Sequence, residues 1–302
     1  MIENIDINET EVLKLYPEVL EMLLKDHTTQ QNIFWATDSY AKLGKGYKFN
    51  DAITIESITG KNEMVIRPRS IKSKDEQTKR SKDMAEVFTP SWVCNAQNNL
   101  IDEAWFGRKD VFNVELADHT WKSVKEKIDF PEKKTWKDYV HDARLEITCG
   151  EAPYLASRYD TVSGQAIDLT ERIGLLDRKL RVVSENTETT GEFLEMCQEA
   201  YKNTYGYEWQ GDNLLLARES LLFTFLDYYR AKFNEEPRLK SIQYIAYIIS
   251  WNVWQMDGLK FCPPGEEPCD GDLFNPCNLC LIRDWRKPRD KQKITFKSLL
   301  KQ

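Results

Sequence analysis

Leu145-Glu-Ile-Thr-Cys-Gly-Glu-Ala-Pro-Tyr-Leu155 is the stretch on which the fold turns. Hydrophobic residues lead to an acid, Glu146, and then to a turn of small residues with one glycine, Gly150. In an α/β domain a first strand ends this way and opens a nucleotide pocket. Glycine lets the backbone bend sharply and approach a ligand, because it has no Cβ to clash. By itself the signal is weak, since any strand-to-helix turn can hold Cys-Gly. Its neighbours sharpen it. Upstream stands Ala85-Glu-Val-Phe-Thr-Pro-Ser-Trp-Val93. Downstream stand Tyr205-Gly-Tyr-Glu208 and the run Asp212-Asn-Leu-Leu-Leu-Ala-Arg-Glu-Ser-Leu-Leu222.

Outward from this loop the pattern alternates between strand and helix. Residues 190–204 are expected to be helical, 205–208 a strand, and 212–233 a buried helix, apolar on nearly every side. Pro237 is expected to open a helix to Ser250, and Trp251-Asn-Val-Trp-Gln-Met-Asp257 to form a third strand ending in an acid. Such alternation implies a parallel, doubly wound sheet. Residues 156–187 read as an insertion, with a turn at Tyr159-Asp-Thr-Val-Ser-Gly164 and an extra strand at Leu180-Arg-Val-Val-Ser184. Towards the N-terminus, residues 8–26 have helical spacing and Ala52-Ile-Thr-Ile-Glu-Ser-Ile58 alternates as a strand would. Residues 70–84 read as a charged helix or linker. Pro90 starts a helix through Leu100, with Thr89 or Ser91 as cap. Residues 121–140 read as a short helix and loop. The organisation expected is a mainly helical extension at 1–84, a core at 85–260, and a cysteine-rich loop with a basic tail at 261–302.

Composition sets the bounds. The 302 residues, 41% hydrophobic and 30% charged, suffice for one large domain or two modest ones. No run approaches the apolar length of a membrane span, and Met-Ile-Glu-Asn-Ile-Asp is unlike a signal peptide, so a cytoplasmic protein with no membrane partner is expected. The net charge of −7 argues against the chain coating DNA by itself. Basic residues do cluster at 61–83 and 283–302, where a solvated face is the plainer reading. The three histidines, His27, His119 and His141, have no metal spacing and no paired nucleophile. No nuclease-type Pro-Asp…Glu/Asp-x-Lys pattern is present.

In their order, these segments resemble S-adenosylmethionine-dependent DNA adenine-N6 methyltransferases of the γ arrangement, the modification modules of restriction-modification systems. The family's E-x-F-T-P segment is matched by Glu86-Val-Phe-Thr-Pro90. Its glycine loop is matched by Glu146-Ile-Thr-Cys-Gly-Glu-Ala-Pro-Tyr-Leu155, and the acid ending its second strand by Glu208. The closer likeness is to bacterial chains called restriction endonuclease subunit M, through His27-Thr-Thr, Asn32-Ile-Phe-Trp-Ala-Thr-Asp38, residues 86–102 and residues 251–260. It covers most of residues 25–285. The resemblance implies a Rossmann-like core that binds S-adenosyl-L-methionine, with Phe88, Thr89 and Pro90 over the methionine end and Thr148, Cys149 and Gly150 in the loop beneath.

The resemblance then implies a role for each acid. Glu208 would take both ribose hydroxyls as a bidentate acceptor. Asp257 would accept from the adenine amine, and Glu146 would attract the methionine ammonium. The 62 residues from Glu146 to Glu208 far exceed the ~20 of a compact nucleotide-binding unit. Glu185, at the end of the expected extra strand, is therefore a competing ribose acid.

Two departures stand out. The family's second loop glycine is replaced by Ala152, tolerable where φ stays negative. The N-P-P-Y tetrapeptide that holds and stacks the flipped adenine is missing, and the only Pro-Pro, in Cys262-Pro-Pro-Gly265, offers neither amide nor ring. The expectation is the cofactor half of a split methyltransferase. A second polypeptide supplies the N-P-P-Y loop and target recognition, and DNA is bound through the complex. The alternative is a catalytically inactive methyltransferase fold acting as a scaffold or DNA-binding component. Cys262, Cys269, Cys277 and Cys280 leave two readings, a structural zinc or reduced thiols on a loop. Only Cys277-Asn-Leu-Cys280 has the ideal knuckle spacing.

Overall fold

The computed structural model describes residues 5–268 and 278–301. The chain opens with α1 (Glu9–Leu15) and α2 (Pro17–Leu24). The single helix expected over 8–26 is broken because the residue before a proline is pushed out of helical geometry; Tyr16 has φ −142°. The strand expected at 52–58 is absent. Ala52 makes one isolated bridge to Phe34, and then Thr54 and Ser57 form a capping box that starts α3 (Ile55–Ile58). Two longer helices follow, α4 (Lys74–Met84) and α5 (Ser91–Phe106), and then the hairpin β1 (Asn113–Glu115) and β2 (Trp121–Ser123).

After α6 (Trp136–His141) the chain enters β3 (Arg144–Glu146). The extra strand expected at 180–184 is instead part of α7 (Leu175–Asn186). Leu176, Leu180 and Val183 are all fully buried at helical spacing, which outweighs the strand preference of the Val182–Val183 pair. Next come α8 (Thr190–Lys202), β4 (Thr204–Glu208), α9 (Gly211–Phe233), α10 (Leu239–Asn252) and β5 (Val253–Gln255). The chain closes with the antiparallel hairpin β6 (Leu281–Arg283) and β7 (Lys293–Thr295).

The result is a mixed α/β structure with a three-stranded parallel sheet in the order β3-β4-β5. Leu145 is in register with Tyr205, and Tyr207 with Trp254. Two consecutive right-handed crossovers that step the same way along a sheet put their helices on the same face. On that face α8, α9 and α10 meet β4 and β5, and the large core is built there around Leu180, Phe193, Leu214, Leu222, Phe225 and Ile249. The other face carries a smaller cluster, in which Tyr207 and Trp254 pack against Ile282 and Phe296 of the C-terminal hairpin region.

Residues 9–66 share the large core. The buried Arg218 of α9 ties them in. Its guanidinium donates to the carbonyls of Leu23 and Lys25 near the N-terminus, and to those of Ser250 and Val253 beside β5. Four carbonyl acceptors satisfy a group whose burial without them would be costly. Among the described residues no helix is long and apolar enough to cross a membrane.

Candidate functional site

A cleft of about 970 Å³ opens at the C-terminal ends of β3 and β4, the end of a parallel sheet where ligands usually bind. Residues 82–89 form one wall and residues 145–150 the other, with Glu208 to Gln210 at its base.

The glycine loop is shaped by carboxylates. Glu208 accepts the Gly150 N–H at 2.9 Å and the Gln210 N–H at 3.2 Å. Glu146 accepts the amides of Tyr154 and Leu155, at 3.4 and 3.2 Å. The Cys149 N–H continues towards β4, donating to Tyr207 O at 2.8 Å. Three alternate residues sit in the left-handed region: Thr148 at φ 46°, Gly150 at 54° and Ala152 at 59°. Ala152, fully buried, thus adopts the conformation that glycine would hold without strain. The condition of negative φ is not met, and the loop carries that cost.

Residues 86–91 form a strap fixed at both ends. Glu86 Oε2 accepts from Arg80 at 2.6 Å and from Asn213 at 3.2 Å. Arg80 also reaches Gln210 at 2.6 Å and Asp212 at 2.8 Å, while Tyr40 donates to Asp212 at 2.8 Å. At the far end Ser91 N–H donates to Asp160 at 2.7 Å, and Thr161 donates to Thr89 O at 3.2 Å. Between these anchors the Phe88 ring lies on the glycine loop. A Cβ placed on Gly150 would come within 3.3 Å of Phe88 Cε1. The Arg69 guanidinium is 5.4 Å from the Phe88 ring centre, and the Arg69 amide donates to Glu151 at 2.7 Å.

The electrostatics are those of a buried acidic floor. Burial pushes the Glu208 carboxyl up to about 7, against the opposing pull of its two backbone donors. Burial likewise holds Glu146 well above the ordinary carboxylate range. Among the described lining residues the acids are Asp83, Glu86, Glu146 and Glu208, and the base is Lys82. Such a site offers hydrogen-bond partners to ligand hydroxyls and amines. Each carboxylate oxygen keeps a lone pair after its backbone bond, so Glu208 can still accept from a ligand.

The cleft brings together Phe88, Thr89, Glu146, Thr148, Cys149, Gly150 and Glu208. Pro90 lies outside it, as the N-cap of α5. Asp257 is also outside the lining: its carboxylate accepts the Leu259 and Lys260 amides at 2.8 and 3.1 Å. Glu185 ends no strand. It sits on α7 and accepts from Ile128 N–H and Arg181 Nε. Sequence reasoning missed Trp209, Phe49, Asn98 and Asn213, all in the lining. Trp209 was findable, since it directly follows Glu208. Asn98 is fully buried with its Oδ1 unpartnered.

Cys262 and Cys280 are buried free thiols on adjoining backbone, where the Cys280 N–H donates to Phe261 O at 2.8 Å. Burial raises both thiols, which bond to the carbonyls of Glu266 and Gln255. Cys269 and Cys277 lie outside the described residues. Among the described residues no group of three or more metal-ligating side chains occurs.

No family model, curated protein or solved structure matches the chain.

Proposed function

We propose that the cleft binds S-adenosyl-L-methionine and that the chain is the cofactor-binding subunit of a split DNA adenine-N6 methyltransferase, of the restriction-modification kind. One observation carries this reading: Phe88 lies on Gly150 while Gly150 donates to Glu208, so three separate sequence segments build one pocket wall. The donor set fits the cofactor. Glu208 offers acceptors for ribose hydroxyls, and Trp209 with Phe49 gives an aromatic wall beside it for a planar base. The carboxyl floor offers acceptors to an amine, and among the described lining residues Lys82 is the one base, which disfavours nucleotides with phosphates. When bound, the cofactor supplies the electrophilic methyl group. The residues of this chain bind and orient it and keep water away.

The sheet order supports a two-chain enzyme. A doubly wound, Rossmann-like sheet needs strands beyond β3 whose crossovers cover the second face. Among the described residues the parallel sheet has only β3-β4-β5, with crossover helices on one face. A second polypeptide with the N-P-P-Y loop would add those strands, the base-holding amide and the stacking ring. The competing reading, an inactive methyltransferase fold acting as a scaffold or DNA-binding component, is favoured by the strained Ala152. A zinc on Cys262, Cys269, Cys277 and Cys280 remains part of the proposal, with a structural role. One zinc per chain, lost in Cys280→Ser, is the expected metal analysis, and metal-free native protein overturns it.

Calorimetric titration with S-adenosyl-L-methionine tests the central claim. Glu208→Ala is expected to weaken binding by about 1.5–3 kcal/mol, the scale of charge-assisted hydrogen bonds. Absence of binding by the wild-type chain, with its partner present, removes the cofactor reading.

A further inference from the structure

Among the described residues β3 pairs with β4 on one side only. The Arg144 N–H donates to Asn203 O at 3.0 Å, so the backbone groups of Arg144 and Glu146 face β4, and those of Leu145 and Ile147 point to the free side. The strand is short, and the side chains it leaves exposed, on Leu145 and on Ile147 just beyond its end, are apolar. Leu145 is 43% exposed and Ile147 63% exposed, while Arg144 and Glu146 are folded inward.

Beside this edge lies a second cavity of about 160 Å³, between β3 and the β6–β7 hairpin. Its walls are mostly apolar, with Leu145, Tyr205, Trp254, Ile282, Phe296 and Leu299, and Asp284 in the lining is paired with Arg286 at 2.8 Å. Arg144 stands at its rim. One guanidinium nitrogen pairs with Asp142, but Nε and Nη2 are buried and unpartnered. The edge therefore brings three things together: unused backbone donors and acceptors, an apolar socket, and, buried beside it, Arg144 Nε and Nη2 with no acceptor. An extended peptide with alternating side chains matches all three.

We propose that the free edge of β3 receives a strand of a separate polypeptide, which sets an apolar side chain into the socket and a carboxylate on Arg144. A second copy of this chain is a poorer match, because the Glu146 carboxylate on its own edge is already held by the Tyr154 and Leu155 amides. Leu145 lines both cavities, so the docked strand also borders the cleft. The inference rests on the split-enzyme reading for what the partner does, and on the edge geometry for where it binds.

A phage-displayed random dodecapeptide library, selected on the purified wild-type chain, is the probe. Enriched peptides are expected to alternate apolar residues and to carry an acid. Leu145→Lys and Arg144→Gln should each weaken their binding by about tenfold or more, since pockets and charge pairs set the specificity of added strands. Hydrogen exchange on the wild-type chain gives a second measurement independent of any variant: peptide should protect the amides of Leu145 and Ile147. Lack of enrichment, binding indifferent to both variants, or protection elsewhere overturns the proposal. So does a wild-type dimer in sedimentation that Leu145→Lys dissolves, which assigns the edge to a second copy. The cofactor titration is a separate readout and can fail while the strand still docks.

Discussion

The Gly150 amide donates to the Glu208 carboxylate across 2.9 Å, which joins the turn after β3 to the last residue of β4. The bond fixes the loop that Phe88 covers, and it places an acceptor at the base of the cleft. Glu208 thus shapes the pocket and faces whatever enters it.

A pH dependence follows from that double duty. Burial lifts the Glu208 carboxyl from its ordinary 4.5 to about 7. The ionised form is the acceptor for ligand hydroxyls, so cofactor affinity should rise as pH climbs from 6 to 8, through about 7. Glu208→Gln should bind more weakly and lose most of that slope. Titrations at several pH values in both proteins decide the matter, and equal slopes would show that Glu208 does not contact the ligand.

Gly150→Ala should damage both fold and binding. The position has φ 54°, where a side chain costs about 1–2 kcal/mol, and the new methyl would press on Phe88 at 3.3 Å. The expected result is a lower Tm and loss of cofactor affinity, with part of the affinity restored in the Gly150→Ala, Phe88→Leu double variant. Binding equal to wild type would mean that the loop and the Phe88 ring move apart freely.

A different buried acid pair governs stability. Glu9 of α1 and Glu219 of α9 are almost fully buried, and their carboxyl oxygens have no hydrogen-bond partner. Burial raises both carboxyls far above 4.5; Asp6 and Glu63 add to the rise at Glu9, and Glu9 and Asp6 to that at Glu219. Near pH 4 folded and unfolded chains are both protonated, so nothing is lost. Above the ordinary value of 4.5 the unfolded chain ionises while the folded chain keeps its protons, and stability falls as pH rises. Glu9→Gln should therefore raise Tm at pH 8 by about 2–4 °C for each kcal/mol recovered, with little change at pH 4. A Tm difference that is constant across pH would sink the idea.

The parts of this architecture that were legible in the sequence are those written in local pattern. Gly150 after Glu146, Glu208 at the end of β4, and the long apolar α9 all follow from turn chemistry and periodicity. Where two local signals compete, the pattern misleads. The Val182–Val183 pair suggests a strand, but burial of Leu176, Leu180 and Val183 on one face makes α7. Ala52 to Ile58 alternates, yet the Thr54–Ser57 capping box turns it into α3. The Arg80, Glu86 and Asp212 network was invisible because its members are distant in sequence and meet only after folding. Asp257 shows the limit of reading roles from position. It follows a strand as expected, but its carboxylate is taken up by the turn it begins.

The last expectation is that the purified chain alone transfers no methyl group to DNA. Methylation of an adenine amine requires the base to leave the helix, an acceptor for its amino group, and a ring to stack on it. The cleft has Trp209 and Phe49 for the cofactor side, but the sequence has no N-P-P-Y loop to receive the base. A net charge of −7 also opposes unaided grip on a duplex. Under the split-enzyme proposal, addition of a partner chain should restore transfer, because it would bring the loop and extend the sheet at β3. Leu145→Lys should then abolish activity of the mixture in proportion to its loss of association. Radiolabelled methyl incorporation, measured with each chain alone and with both, separates the outcomes. Transfer by this chain by itself would refute the split-enzyme argument, and a mixture that associates and binds cofactor without transfer would favour the scaffold reading.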